Sequence, residues 1–341
     1  MEKTKMENIK KMKNAKVGRF ILNYAVIILI AVSAILVGIF QENFLSASNL
    51  KNLLVNTSVR FIIALGVSGC LIMRNNDLSA GRQAGLAACI AAIFLQSPDY
   101  SERVLKGFPV INMWVVLLIL MILFAVTFGL INGLIVSVFH VPAFIGTYGM
   151  QTVVYGIALI VTGAKPIGGL LTSYTDMCSG SLFGIQPLSN LAVIALIVGI
   201  IIWFLYNKTP YGKRMYAIGG NGNAAEVSGI NTTKMTIISY MIASALYALA
   251  GFMMGGKAGG TSASLGASYE LFAIAGCTIG GVSVNGGIGT VPGILTGVLV
   301  FEVLKIEMQF MGIDTAYTYS VQGVVIIVAI ALDIRKYIAK K

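Results

Sequence analysis

Residues 111–139 read INMWVVLLILMILFAVTFGLINGLIVSVF and contain no Asp, Glu, Lys or Arg. A helix needs about 20 mostly apolar residues to cross a bilayer. This stretch meets that length and is too apolar for the surface of a water-soluble domain. It therefore predicts an all-α, polytopic membrane protein.

The composition of the whole chain agrees with this prediction. Of its 341 residues, 57% are apolar and 11% are charged, whereas an average soluble domain has about 25% charged residues. The four cysteines form no CxxC pair, so neither a metal site nor a redox motif is predicted. No cofactor is expected.

Ten stretches have the length and apolar character of candidate spans. An even number suits the basic chain ends, which are both expected on the cytoplasmic side. The third and eighth stretches are short, so eight or nine spans is an alternative. The stretches are Phe20–Phe40, Leu53–Met73, Ser79–Gln96, Ile111–Phe139, Ala143–Thr162, Leu188–Tyr206, Met235–Gly255, Tyr269–Val284, Ile288–Met308 and Tyr317–Leu332.

The net charge is +11. The placement of the basic residues indicates the orientation of the chain in a membrane rather than a nucleic-acid partner. Basic residues cluster in 1–19, in the loop 207–234 and in 333–341, beside apolar stretches, as the positive-inside rule describes. These segments are predicted to be a cytoplasmic tail, a cytoplasmic loop and a second tail around a membrane domain of residues 20–332. Attraction to anionic lipid is a secondary effect. A signal peptide is the alternative for the N-terminus, but the first apolar run is too long and no A-x-A site follows it.

Two polar stretches interrupt the apolar pattern, and we call them the first break (residues 74–83, RNNDLSAGRQ) and the second break (residues 280–289, GGVSVNGGIG). Each is predicted to end one helix and start another. Asp77 is placed to accept hydrogen bonds from the first amides of the following helix, and Gly81 to admit another backbone. Breaks in both halves of a chain indicate an internal repeat and mark the working centre.

Glycines spaced four apart are predicted to pack helices closely, because lipid supplies no hydrophobic drive between them. These glycines are Gly129, Gly133, Gly276, Gly280, Gly289, Gly293 and Gly297.

Charged residues inside spans are costly and indicate function by default. Arg60 is the clearest case, since it lies about one-third of the way into the second span. Pairing between neighbouring helices is the structural alternative. The candidates for a polar path through the membrane are Arg60, Asp77, Arg82, Gln83, Asn132 and Glu270.

Two segments match nucleotide-binding motifs in part, but neither match predicts a nucleotide site. Residues 251–258 (GFMMGGKA) approach a Walker A pattern, but Ala258 stands where magnesium binding requires Ser or Thr. Residues 220–225 (GNGNAA) fit a loose dinucleotide fingerprint, but the next apolar run is a membrane span, which leaves no second strand for the fold. The chain is therefore predicted not to be an enzyme.

The loop at residues 211–231 has an ordered pattern. Glycines at 219, 220 and 222 precede a short Ala-Ala-Glu-Val helix, and Gly229 ends it. A short rigid helix between two spans suits docking of a soluble partner.

This loop resembles the coupling segment of sugar-importing ABC permeases, the group that includes ribose, xylose and galactose systems. The run 58–67 (SVRFIIALGV), the turn 76–79 (NDLS), residues 129–134 (GLINGL) and the second break look most like galactose/methyl-galactoside permeases. The resemblance covers residues 44–341. The sequence departs from it around 164–187 and in a longer basic N-terminus.

The resemblance implies a permease of about ten spans with type II importer architecture in a bacterial plasma membrane. Such a permease forms a homodimer, receives sugar from an extracytoplasmic binding protein and is driven by a separate ABC ATPase. Onto this chain the resemblance places the ATPase contacts at Gly219, Gly220, Asn221, Ala225, Glu226, Ser228 and Gly229.

The same residues allow an alternative substrate and an alternative class of transporter. Ribose, xylose or a nucleoside is the alternative substrate. An ion-coupled secondary transporter is the alternative class, and it would need titratable carboxylates near mid-membrane. Only Asp77 and Glu270 come close, and both are predicted at helix ends.

Overall fold

A computed structural model of the chain describes residues 27–185 and 187–338. The predicted basic tail at 1–19, the start of the first span and residues 339–341 lie outside the described residues. Within them the chain is helical. The helices are α1 (Ile27–Phe40), α2 (Ala47–Ile72), α3 (Ala80–Phe94), α4 (Met113–Phe124), α5 (Leu130–Ser137), α6 (Ala143–Thr162), α7 (Thr172–Ser179), α8 (Asn190–Lys208), α9 (Pro210–Gly220), α10 (Gly222–Val227), α11 (Thr232–Ala258), α12 (Tyr269–Ile279), α13 (Val291–Phe310) and α14 (Thr315–Ile338).

Each predicted span coincides with a helix. The fourth corresponds to α4 and α5, joined by a π-helical turn at Ala125–Gly129. Among the described residues, five helical stretches are long and apolar enough to cross a membrane, and shorter apolar helices accompany them. The prediction of an all-α, polytopic membrane protein is confirmed, and the count of ten spans stays a prediction. At 1.5 Å per residue, α12 is only about 16 Å long, roughly half of the hydrocarbon core.

The helices α2 and α11 lie at the centre of the molecule. In their most apolar stretches 89% and 72% of the residues are buried inside the protein. In α4–α5, α6 and α8 the buried share is 22–28%. These outer helices expose apolar side chains on most of their surface, which is stable only against lipid.

Glycines allow α12 and α13 to approach closely. A Cβ atom on Gly297 would lie 1.9 Å from the Gly276 carbonyl oxygen, and a Cβ on Gly280 would lie 2.1 Å from the Gly293 carbonyl oxygen. No side chain fits at such distances, so glycine is required at this interface. The predicted packing role of these glycines is confirmed.

Residues 251–258, which approach a Walker A pattern, form the last two turns of α11. A Cβ on Gly251 would lie 2.1 Å from the Ala84 carbonyl oxygen of α3. Gly251 therefore serves the contact between two helices, and this segment is not the phosphate-binding loop that a nucleotide site needs.

The connections on the side predicted to be outside are tied together. Isolated β-bridges join Ile167 to Thr261 and Gln96 to Leu170. The Tyr174 hydroxyl, on the short helix α7, donates to the carbonyl oxygen of Phe252. Within the region that departs from the family pattern, residues 167–174 therefore form an ordered cap on α11.

Candidate functional site

A buried hydrogen-bond network holds the first break. Asp77 Oδ1 accepts from the Ser79 amide at 3.0 Å and from the Ser79 hydroxyl at 2.5 Å. The Tyr247 hydroxyl donates to Asp77 Oδ2 at 3.1 Å. The Ser79 oxygen in turn accepts from Gln83 Nε2 at 2.9 Å and from Asn132 Nδ2 at 3.0 Å. These three hydrogen bonds use the single donor and both acceptor positions of the Ser79 hydroxyl.

The network explains where α3 begins. Asp77 accepts from the Ser79 amide just before the first helical residue, Ala80, as predicted. The side chains of Asp77, Gln83 and Asn132 are fully buried. They were predicted to line a path, but in this conformation they face one another inside the protein.

Arg60 has a different environment. Its Nη1 lies 2.5 Å from Glu302 Oε1 on α13, and its guanidinium carbon lies 5.2 Å and 5.1 Å from the ring centres of Tyr269 and Phe272 on α12. Glu302 is fully buried, whereas 12% of the Arg60 side chain is exposed. The pair therefore joins α2, α12 and α13, and the Arg60 side chain keeps a small exposed fraction.

Arg60 also lines a cavity of about 140 Å³ between α2, α11 and α12. The polar residues that line the cavity are Asn56, Arg60, Lys257 and Tyr269. Lys257 Nζ donates to Asn56 Oδ1 at one side. The polar lining therefore offers hydrogen bonds from an amide, a guanidinium, an ammonium and a phenol, two of which are cationic.

Arg82 and Glu270 form a second polar group. The Arg82 guanidinium lies 4.1 Å from the ring centre of Tyr155, and its Nη1 donates to the Ala263 carbonyl oxygen at 3.3 Å. Gln151 Nε2 donates to Glu270 Oε1 at 3.3 Å.

Gly81 lies against another backbone, as predicted, and so lets the second group come together. A Cβ there would lie 2.2 Å from the Gly266 carbonyl oxygen and 2.3 Å from Glu270 Oε2. Because Tyr269 and Glu270 are consecutive on α12, the Arg60 cavity and the Arg82 group are neighbours at the first turn of that helix. Among the predicted path residues, the structure therefore brings Arg60, Arg82 and Glu270 to one region.

The predicted docking loop consists of two helices. α9 precedes the short helix α10, whose first turn is capped by Asn221 Oδ1 accepting from the Ala224 amide at 3.1 Å. Gly229, with φ +83°, ends the turn after α10. The short helix was predicted, but α9 was not, because its glycines at 219 and 220 indicated a turn.

The residues assigned to ATPase contact divide into two sets. The exposed ones are Gly220, Asn221, Glu226, Ser228 and Gly229. Gly219 and Ala225 are buried, so they hold the loop rather than present a surface. Val227, which was not singled out, is 91% exposed.

The second break packs against α9 and the end of α2. The Gly287 amide donates to the Ile72 carbonyl oxygen at 2.8 Å. The Tyr216 hydroxyl on α9 donates to the Gly289 carbonyl oxygen at 2.8 Å. The second break therefore contacts the docking loop directly.

A family model described as "Branched-chain amino acid transport system / permease component" matches residues 49–330. The chain belongs to this permease family. Its relatives include the galactose/methyl galactoside import permeases of Escherichia coli (strain K12), 42% identical over 92% of this chain and 94% of the relative, and of Haemophilus influenzae, 41% identical over 90% and 93%. The ribose import permease of Bacillus subtilis (strain 168) is 34% identical over 89% of each chain. No solved structure shows significant similarity to the chain.

The resemblance read from the motifs is thereby confirmed. The family match begins within α2 and ends in α14, so it includes both breaks, the docking loop and every candidate path residue.

Proposed function

We propose that this chain is the membrane-spanning permease subunit of an ABC importer for galactose or a methyl galactoside. Identity of 41–42% to galactose/methyl galactoside import permeases over nine-tenths of the chain carries the proposal. Ribose is the second candidate, supported by 34% identity to a ribose import permease. The cavity beside Arg60 suits either sugar, because its hydrogen-bonding groups recognise hydroxyls in general.

Import requires partners that the chain does not provide. A separate ABC ATPase docks on α10 and the exposed residues around it, and an extracytoplasmic binding protein delivers the sugar. Two copies of the chain enclose the path, and both termini lie in the cytoplasm of a bacterial plasma membrane. The basic loop 207–234 supports this orientation.

The sugar path follows the polar side chains that keep some exposed surface. Arg60 with its cavity and then Arg82, which are both partly exposed, contact the sugar as it passes. Glu270 is buried and lies beside Arg82 at the start of α12. Asp77, Gln83 and Asn132 shape the turn from α2 to α3 instead. Their complete burial supports this division.

ATP-dependent uptake tests the function. The full chain, reconstituted with its ATPase and sugar-binding protein in proteoliposomes, is expected to accumulate labelled galactose only with ATP inside, and methyl galactoside should compete. Uptake of ribose in preference to galactose would select the second candidate. Uptake by this chain alone, driven by a pH step, would contradict the ABC assignment.

Glu226 tests the docking surface. It is the one acidic residue of the basic loop 207–234 and is exposed on α10. In Glu226→Arg we expect the ATPase to bind about tenfold more weakly, because a complementary charge becomes a repulsive one. Association is measured by co-purification and titration, and membrane insertion should be unchanged.

Glu102→Arg is the matched control, since it makes the same charge change at an exposed site in the α3–α4 connection. It should leave ATPase binding intact. Normal complex yield and normal uptake in Glu226→Arg would remove α10 from the docking surface.

A further inference from the structure

A single arginine connects the docking loop to the first break. Arg74 Nε donates to the Gly219 carbonyl oxygen at 2.8 Å, and Arg74 Nη2 donates to the Gly220 carbonyl oxygen at 2.7 Å. These two carbonyls end α9. The last carbonyls of a helix lack partners within the helix and carry partial negative charge, so the guanidinium caps α9 from a distant part of the chain.

The backbone of Arg74 is adapted to this contact. Its φ is +66°, a left-handed conformation that is uncommon for residues other than glycine. The Arg74 amide donates to the Leu71 carbonyl oxygen at 2.9 Å, so the residue both ends α2 and reverses the chain direction. The conformation is held by contacts on each side of the residue.

The second break completes the arrangement. A Cβ on Gly286 would lie 2.4 Å from Cγ of Arg74, so the glycine loop packs directly on the aliphatic part of the arginine. The neighbouring Gly287 amide donates to Ile72 at the end of α2. We call the set Arg74, Gly219, Gly220, Gly286 and Gly287 the arginine joint.

The joint has a direct mechanical consequence. Asn221, the cap of α10, follows Gly220 immediately, so a displacement of α10 acts on the carbonyls that Arg74 holds. The planar guanidinium holds two carbonyls at once, which fixes orientation as well as distance. The other side of the joint leads into α3 through the first break and into α12 and α13 through the second.

We propose that Arg74 is a positioning residue that transmits movement of the docking helix α10 to both breaks, so that ATP hydrolysis is linked to opening of the sugar path. This inference rests on the proposed function. It predicts that Arg74 acts after the ATPase has bound, not in the binding itself.

The test separates binding, hydrolysis and transport in the complete complex. Arg74→Gln is reconstituted with the ATPase and the binding protein, and galactose transported per ATP hydrolysed is measured together with ATPase affinity. We expect the transport ratio to fall about tenfold, in the range of coupling free energies between sites, while ATPase affinity stays within about twofold of the wild type. Arg74→Lys, which keeps the charge but lacks the fork, should fall between the two.

Further variants define the controls. Lys106→Gln removes an exposed cation from the α3–α4 connection, outside the docking loop, and should leave the transport ratio unchanged. Tyr216→Phe removes the hydroxyl that donates to Gly289 and should lower the ratio less than Arg74→Gln. If Arg74→Gln is poorly inserted, Arg74→Lys and Tyr216→Phe carry the test.

An unchanged transport ratio in well-inserted Arg74 variants overturns the inference. Loss of ATPase affinity equal to that of Glu226→Arg also overturns it, because Arg74 would then belong to the docking surface. Failure of the proposed function is distinct, since it appears as absence of ATP-dependent uptake in the wild-type complex.

Discussion

Arg60→Leu is expected to lower the free energy of unfolding by about 3–5 kcal/mol, because removing one partner of a buried ion pair leaves the other uncompensated. Glu302 is fully buried, and Arg60 is its ion-pair partner. The variant also loses the stacking of the guanidinium on Tyr269 and Phe272. Thermal unfolding in detergent and the yield of inserted protein measure the effect.

The double variant Arg60→Leu/Glu302→Leu provides the control. Replacing both members of a buried pair by apolar residues is often nearly neutral, so most of the stability should return. If Arg60 also contacts the sugar, the double variant should be folded but unable to import galactose. Equal stability of Arg60→Leu and the wild type would show that the pair contributes nothing to the fold.

Asp77→Leu is expected to destabilise the protein by about 3 kcal/mol or more, because each buried polar group left without a partner costs about 1–3 kcal/mol. The Ser79 amide, the Ser79 hydroxyl and the Tyr247 hydroxyl would all lose their acceptor. Asp77→Asn should be mild, since its amide oxygen still accepts from Ser79 and asparagine caps helices well. Uptake is compared at matched membrane levels, with unfolding followed in parallel.

Asp99→Leu is the control for Asp77→Leu, because it removes an exposed carboxylate from the α3–α4 connection and should change stability little. A folded Asp77→Asn variant without uptake would show that the charge serves transport. The structural role assigned to Asp77 would then be wrong.

Hydropathy predicted the helices well, since a stretch of about 20 apolar residues has few other structures available in lipid. Hydropathy could not predict α9. The residues of this segment are not predominantly apolar, and its glycines at 219 and 220, which disfavour a helix, indicated a turn. The glycines are tolerated there because Gly219 must lie against the Ile72 carbonyl oxygen, where a Cβ would come within 1.9 Å. Tertiary packing, not local preference, determines this residue.

The candidate site was predicted only in part, for a related reason. The sequence indicated that Arg60 and Asp77 are costly in a membrane, but not which helices would supply Glu302 and Tyr247 as their partners. Asn56 lies in the short polar run 56–58 and carries no periodic signal. Arg74 is the first residue of the first break, so its position was a usable signal, but its partners lie in a distant loop.

The burial of α2 and α11 has a consequence for how this chain tolerates substitution during evolution. In α4–α5, α6 and α8, exchange among Leu, Ile, Val and Phe meets fluid acyl chains that adjust to any shape. In α2 and α11 the same exchange changes the volume of side chains in a close-packed interior, where adding or removing even one methylene group affects the packing. The lipid-facing helices and the central helices look alike in hydropathy but should therefore change at different rates in evolution. The sequences of the lipid-facing helices should vary freely, whereas those of the central helices should change slowly and in compensating pairs.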